Sequence, residues 1–283
     1  MTPQLEKKVA QAIKLLQSIP TDKGDIELSY SGGKDSDVCL ELCKMAGLKV
    51  RPIYKCTTID PKGTTAHCKS KGVEVMMPNR TFFDIVAAKG APTRRARFCC
   101  SELKEYKICD IAIQGIRKSE STRRNARYKE PVLCRVYGKK SNSAQVFLPI
   151  LYWTNEDVRE FIEVRGIQCH PLYYDSDGSF CVERRLGCFA CPMKADCGLA
   201  DLKSNIRFTK ALLRNIQRFF DTRPSSRTKK IFNNSVYDVL YHDLYCKSYD
   251  EYWLKTHGLW PLDCKTFLEE QFNADLTIEL NKK

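Results

Sequence analysis

The chain has 283 residues, 43% of them hydrophobic, a net charge of +13 and fifteen cysteines. That apolar content can bury a core, and no apolar run reaches the roughly 18 residues a membrane-crossing helix needs. The opening "MTPQLEKKVAQAIKLLQ" has helical charge alternation rather than the apolar block of a secretion signal. The expectation is a cytoplasmic protein without a membrane partner. In an intracellular chain of this length, clustered cysteines point to metal or redox chemistry instead of a disulfide scaffold.

Residues 4–17 carry Leu5, Val9, Ile13 and Leu16 on one face, the spacing of an amphipathic helix. "DIELSYS" reads as a strand and "DSDVCLELCKMAG" as a helix closed by Gly47. "KVRPIYKCTT" and "EVMMPN" read as strands, "TFFDIVAAKG" as a helix, and "EYKICDIAIQG" as a helix running into a strand. Strands alternating with helices over the first 150 residues predict an α/β fold with a parallel sheet covered on both faces. In "WTNEDV", Thr154 has the place of an N-cap with acidic residues in the first turn, and Trp153 reads as core. Residues 1–200 are expected to form the main domain and 201–283 a mostly helical C-terminal region. There "SNIRFTKALLRNIQRFFDTR" is basic and amphipathic, "PSSRTKK" has a linker's composition, and "VYDVLYHDLYCKSYDEYWLKTHGLW" is rich in aromatics. Basic charge interleaved with aromatics suits nucleic acid, and the same pattern suits a helical lid packing its rings inward.

Charge is uneven. Between Lys89 and Lys129, twelve Lys or Arg stand against four Asp or Glu. The arginines of "TRRARFCC" and "GIRKSESTRR" sit beside cysteines and turn residues, where guanidinium forks suit phosphates and sulfates. The partners expected from this charge are polyanions, nucleic acid among them.

"SYSGGKDSDVC" leaves a strand and enters a helix. Such a glycine-rich turn exposes successive backbone N–H groups at the positive end of the helix dipole, where phosphate oxygens fit. Lys34 adds a point charge, and Ser31 and Ser36 offer hydroxyl donors. The spacing departs from the Walker A pattern, which places four residues between its glycines. Ser31-Gly32-Gly33-Lys34-Asp35-Ser36 resembles instead the PP-loop of the ATP pyrophosphatases, also called adenine nucleotide alpha hydrolases. That resemblance implies a Rossmann-like sheet and an adenine nucleotide: ATP, adenylyl sulfate or phosphoadenylyl sulfate (PAPS).

Four further segments resemble the PAPS reductase family: "RFCCSELK" its paired-cysteine segment, "GIRKSESTRR" its Gly-x-Arg-x-x-x-Ser-x-x-Arg loop, "LPILYWTNEDVREFIEVRGIQCHPLYYD" its Pro-Ile/Leu-x-x-Trp-Thr segment, and "RRLGCFACP" its Gly-Cys-x-x-Cys segment. The resemblance covers roughly residues 25–200. It implies nucleotide contacts from Ser31, Gly32, Gly33, Lys34, Asp35, Ser36, Gly115, Arg117, Ser121 and Arg124. Asp35 or Asp60 is a candidate Mg²⁺ contact, and Lys34 and Asp35 are candidate catalytic groups. The family's Glu-Cys-Gly-x-His motif, whose cysteine attacks the activated sulfate, is missing; "DCGLAD" around Cys197 echoes it, which makes Cys197 a candidate nucleophile.

Cys188 and Cys191 form a C-x-x-C whose thiolates can meet one metal, and Cys99 with Cys100 can bring two more. In the assimilatory adenylyl-sulfate reductases that pattern holds a 4Fe-4S cluster; zinc is the rival metal. Cys181, Cys188, Cys191 and Cys197 form an alternative local set, while Cys39, Cys43, Cys56, Cys109 and Cys134 read as core.

Three functions remain open. The first is a PP-loop ATP pyrophosphatase that adenylates an acceptor, DNA or tRNA, for iron-sulfur-assisted sulfur transfer from a cysteine desulfurase. The second is an adenylyl-sulfate or PAPS reductase served by a thioredoxin-like donor. The third is a non-catalytic nucleotide-binding component of a defence complex.

Overall fold

The computed structural model describes residues 1–22, 24–138 and 142–279; residues 280–283 of the expected C-terminal region lie outside them. In chain order the elements are α1 (Pro3–Gln17), β1 (Ile26–Tyr30), α2 (Lys34–Met45), β2 (Arg51–Lys55), α3 (Thr64–Ser70), β3 (Glu74–Met76), α4 (Phe82–Lys89), α5 (Phe98–Leu103) and β4 (Ile111–Gln114). Then come α6 (Thr122–Arg127), β5 (Val132–Val136), β6 (Ser143–Phe147), α7 (Asn155–Arg165), α8 (Leu199–Ser204), α9 (Ile206–Thr222), α10 (Arg227–Ile231), α11 (Val236–Tyr245), α12 (Tyr249–His257) and α13 (Cys264–Phe272).

The chain folds as two compact units. The first comprises residues 1–56, 60–77 and 103–187, the second residues 57–59, 78–102 and 188–283. The first unit holds one six-stranded sheet in the order β3-β2-β1-β4-β6-β5. Every pairing is parallel except that of β5 with β6. This is the expected Rossmann-like sheet, with β1 central so that the loop leaving it opens at the sheet's C-terminal edge, where ligands of open α/β sheets bind.

The core of this unit follows from periodicity. Ile26, Leu28 and Tyr30 alternate inward from β1, and α1 adds Leu5, Val9, Ala12 and Leu16. Val38, Leu42, Val158, Phe161 and Trp153 complete the same cluster, with Trp153 edge-on to Phe161 at 5.3 Å. Thr154 caps α7 in a reciprocal capping box with Asp157. Ala112, Val146, Leu148 and Leu151 form a smaller apolar cluster.

Two local expectations need correction. Residues 105–110, expected to be helical, are irregular between α5 and β4: Lys55 Nζ donates to the Tyr106 carbonyl at 2.7 Å and the Gln145 amide to the Asp110 carbonyl at 2.8 Å, so both acceptors serve partners far along the chain. Cys134 is exposed on the edge strand β5, whereas Cys39, Cys43, Cys56 and Cys109 are buried.

In the second unit α4 packs on α9, and α11 on α9 and α13. Helix α9 buries Leu212, Leu213, Ile216, Phe219 and Phe220 along one stripe. "PSSRTKK" is partly helical, as α10. Many of the C-terminal aromatics turn inward, Tyr252 lying 5.0 Å from Phe232, while Trp260 is 92% exposed.

Candidate functional site

The loop between β1 and α2 is held by its own short side chains. Gly32 has φ +77°, and a Cβ there would stand 2.9 Å from Thr64 Cγ2, so only glycine fits. Ser31 Oγ accepts the Gly33 amide at 3.3 Å; Ser36 Oγ donates to the Gly33 carbonyl at 2.6 Å and accepts the Ser31 amide at 3.3 Å. Both serines therefore brace the loop. Gly33 caps α2 without a side-chain hydrogen bond, which leaves the helix N-terminus for an external anion.

Lys34 and Asp35 open α2. Lys34 is 3% exposed; its Nζ donates to the Arg184 carbonyl at 3.2 Å, stands 3.5 Å from Asp35 Oδ2 and lies 5.2 Å over the Tyr173 ring. Burial lowers its pKa, with Asp35 opposing. Arg117 is 1% exposed. Its Nε donates to Asp35 Oδ1 at 2.6 Å, Nη1 to Ser119 Oγ at 3.0 Å and Nη2 to Asn155 Oδ1 at 3.0 Å. A Cβ on Gly115 would lie 2.8 Å from the Asp35 carbonyl oxygen, so glycine lets the 115–124 loop close on α2.

Ser121 caps α6, its Oγ accepting the Arg124 amide at 3.2 Å, and Arg124 is ion-paired with Glu120. Arg185 donates to the Glu120 carbonyl. Burial and then the Arg185 charge disfavour protonated Arg124, which puts the two guanidiniums within electrostatic reach. Asp60 faces Lys104 Nζ at 3.6 Å.

Two features lie beyond the expected residues. A cavity of about 130 Å³ is lined by Ser31, Glu27, Ser29, Lys55, Gln114 and Arg135, among others. In it the buried Glu27 carboxylate is 3.1 Å from Lys55 Nζ. Behind the loop, Tyr30 Oη donates to Asp37 and lies 3.0 Å from His67 Nε2, and the His67 and His170 rings meet edge to face at 5.6 Å. Burial, Asp37 and other neighbours push the Tyr30 phenol up, so it stays a donor. No signal marks these groups in the sequence, because strand alternation predicts only that Glu27 and Ser29 share a face.

Cys99, Cys100, Cys188, Cys191 and Cys197 all fall in the second unit and Cys181 in the first. Cys99 and Cys100 are half-buried on α5. The Cys99 thiol is pushed up by its hydrogen bond with Cys100, then by burial, with Cys188 contributing charge. Thr57 Oγ1 donates to Cys188 Sγ at 3.6 Å. Arg94 ties the loop after Cys191 through the carbonyls of Pro192, Lys194 and Ala195 at 3.0, 2.7 and 3.2 Å. Cys197 has φ +57° and precedes Gly198, where a Cβ would meet Ala190 backbone at 2.6 Å. Soft sulfur donors in one unit suit iron-sulfur or zinc by chemistry. Among the described residues no three Cys, His, Asp or Glu side chains converge as a metal cage.

Sheet order, loop position and the buried Lys34-Asp35-Arg117 arrangement define an α/β protein with a PP-loop-type site at the C-terminal edge of β1. The phosphoadenosine phosphosulfate reductase domain matches residues 25–194, and the chain belongs to that family. An uncharacterized 37.8 kDa protein of Escherichia phage 186 is 31% identical over 139 residues, 43% of this chain and 38% of that protein. The chain thus spans well under half of that relative. Among solved structures, the PAPS reductase of Candida auris in a phosphate complex is 12% identical, covering 67% of this chain and 96% of that one with a TM-score of 0.43. FMN adenylyltransferase of Candida glabrata with FMN and an ATP analogue is 15% identical, covering 62% of each chain with a TM-score of 0.42. No helix among the described residues is long and apolar enough to cross a membrane.

Proposed function

We propose that the chain is a PP-loop ATP pyrophosphatase that adenylates an acceptor, a nucleic acid, for sulfur transfer. The observation that supports this most is the buried Lys34, held between Asp35 and the Arg184 carbonyl in the first turn of α2, whose Gly33 cap makes no side-chain hydrogen bond. An acceptor oxygen attacks the α-phosphorus of ATP in line, a new P–O bond forms, and the bond to the bridging oxygen breaks as pyrophosphate leaves with the electron pair. This chemistry asks for positioning and charge neutralisation more than for a covalent intermediate. Lys34 and the α2 amides hold phosphate oxygens, and Arg117 fixes Asp35. The cavity containing Glu27 accepts the uncharged part of the nucleotide. Mg²⁺ would sit against Asp35 or Asp60 and neutralise phosphate charge. A persulfide sulfur from a desulfurase then attacks the adenylated atom of the acceptor, AMP leaves with the electron pair, and a thiol reductant cleaves the resulting disulfide to free the thiolated product.

Cys99, Cys100, Cys188 and Cys191 would hold a 4Fe-4S cluster, whose chemistry is to bind and deliver sulfur or electrons. The family match to a reductase domain favours a second reading, reduction of adenylyl sulfate or PAPS with Cys197 as nucleophile. One experiment separates them. Anaerobically purified protein is incubated with ATP, and separately with adenylyl sulfate and PAPS plus thioredoxin. Pyrophosphate release supports adenylation; sulfite release supports reduction; neither product sinks both and leaves a binding role.

A further inference from the structure

Residues 184–187 cross the PP-loop as a strap. The Arg184 carbonyl accepts Lys34 Nζ at 3.2 Å, the Leu186 amide donates to Tyr173 Oη at 3.2 Å, and Leu186 Cδ2 lies 3.2 Å from where a Gly32 Cβ would stand. The strap thus covers a lysine whose side chain is 4% exposed. It also brings an arginine that no motif of the chain marks. Arg185 is exposed, anchored by one hydrogen bond to the Glu120 carbonyl, on the same turn whose carboxylate pairs with Arg124. Its charge acts on both Lys34 and Arg124.

Four cations, Lys34, Arg117, Arg124 and Arg185, therefore share this edge with two carboxylates, Asp35 and Glu120. Arg117 is consumed by Asp35, Ser119 and Asn155. Arg124 is paired with Glu120, and Lys34 with Asp35 and a carbonyl. Arg185 is bonded only to a carbonyl among the described partners, which leaves most of its five donors for a ligand. Four cations against two carboxylates leave surplus positive charge at this edge, which favours an anion.

We infer that Arg185 is an anion-binding residue of this site, taking the terminal phosphate or sulfate of a polyanionic nucleotide tail, and that the 184–187 strap yields Lys34 to that anion. A bidentate guanidinium suits a terminal phosphoryl or sulfuryl group better than a bridging one, because two free oxygens face it. The inference deepens the proposed nucleotide site and rests on it.

The test measures binding of ATP, inorganic pyrophosphate and adenosine to the full chain by calorimetry, for wild type, Arg185→Ala, Arg185→Lys and Lys34→Ala. The expected result is that Arg185→Ala weakens ATP and pyrophosphate about 10- to 100-fold, the worth of a charged hydrogen bond, leaves adenosine unchanged, and is partly rescued by Arg185→Lys. Arg185 is exposed, so circular dichroism of the variant should match wild type. If wild type and Arg185→Ala bind both anions alike while Lys34→Ala loses them, the role of Arg185 is overturned and the nucleotide site stands. If wild type binds neither ATP nor pyrophosphate, the nucleotide site itself fails. Equal losses with Arg185→Ala for adenosine and pyrophosphate would also overturn the inference, since an anion contact cannot act on a neutral nucleoside.

Discussion

Arg117 Nε donates to Asp35 Oδ1 at 2.6 Å across 82 residues of sequence, with the guanidinium 1% exposed. The sequence pattern suggests that this arginine clamps phosphate. The structure shows it fixing the carboxylate that opens α2. Removing it strands Asp35, Asn155 and Ser119, and breaking a buried pair from one side costs about 3–5 kcal/mol. Arg117→Ala is expected to lose that much stability in urea denaturation, and Arg117→Lys to recover only part because one ammonium cannot reach three partners. A loss below about 1 kcal/mol, the worth of an exposed pair, would contradict this role.

Gly115 is the second joint of the same contact. An added Cβ would sit 2.8 Å from the Asp35 carbonyl oxygen, and backbone cannot swing aside as a side chain can. Gly115→Ala should cost about 1–3 kcal/mol by overpacking and weaken ATP binding, because α2 must shift. Gly187→Ala is the control, since nothing lies within 4 Å of its Cβ position. Equal melting curves for the two variants would refute the close approach.

These two residues show what was legible in the sequence. The β1 to α2 loop was readable because two glycines between serines state a backbone requirement locally, and Thr154 was readable because a cap and its acidic partner lie three residues apart. The part played by Arg117 was not, since it depends on the Asn155 side chain and the Trp153 carbonyl, 3.0 and 3.5 Å from its Nη2 and Nη1, arriving from a distant segment. Glu27 looked like an ordinary strand residue; only the neighbours β2 and β4 turn it into a buried carboxylate. Arg185 stands in the "RRLGCFACP" segment, whose pattern marks only the glycine and cysteines; its meaning comes from the loop it crosses. Local chemistry is written in neighbouring letters, and long-range pairing is not.

Lys34 offers a pH test. Burial lowers its pKa below the ordinary lysine range. The charged form binds phosphate, so pyrophosphate affinity should fall as pH rises through that lowered value, earlier than an exposed lysine would allow. Lys34→Arg keeps its charge at every accessible pH; any residual affinity it shows should be flat over the same window. A falloff identical in both proteins would assign the titration to another group.

His170 sets an acid limit on stability. Its Nδ1 accepts the Leu172 amide at 3.2 Å, so the neutral ring carries its proton on Nε2, facing Thr64 Oγ1 at 3.4 Å. Burial lowers its pKa, followed by the His67 charge, with Asp37 opposing. The folded pKa thus lies below the unfolded value of about 6.5. Between those two values the unfolded chain binds a proton that the folded chain does not, so stability falls as pH drops, by at most about 1.4 kcal/mol per pH unit. His170→Gln should flatten the difference between urea midpoints at about pH 7.5 and about pH 5.5, roughly one unit above and below the unfolded value. An unchanged difference would place the acid sensitivity elsewhere.

The cysteines give the last test. Cys99, Cys100, Cys188 and Cys191 share a compact unit, and Thr57 and Arg94 hold the second pair's loop in shape. If they bind a 4Fe-4S cluster, anaerobic protein should show visible sulfur-to-iron absorption and bound iron. Cys188→Ser should remove both under either ligand set, whereas Cys99→Ser removes them only if the paired cysteines are ligands. Cys181→Ser discriminates in the other direction. Loss of iron on Cys181 or Cys197 replacement, with retention on Cys99 replacement, would move the site to the local set. Bound zinc with no visible absorption would replace the metal and leave the donors standing, because thiolates of this number suit both.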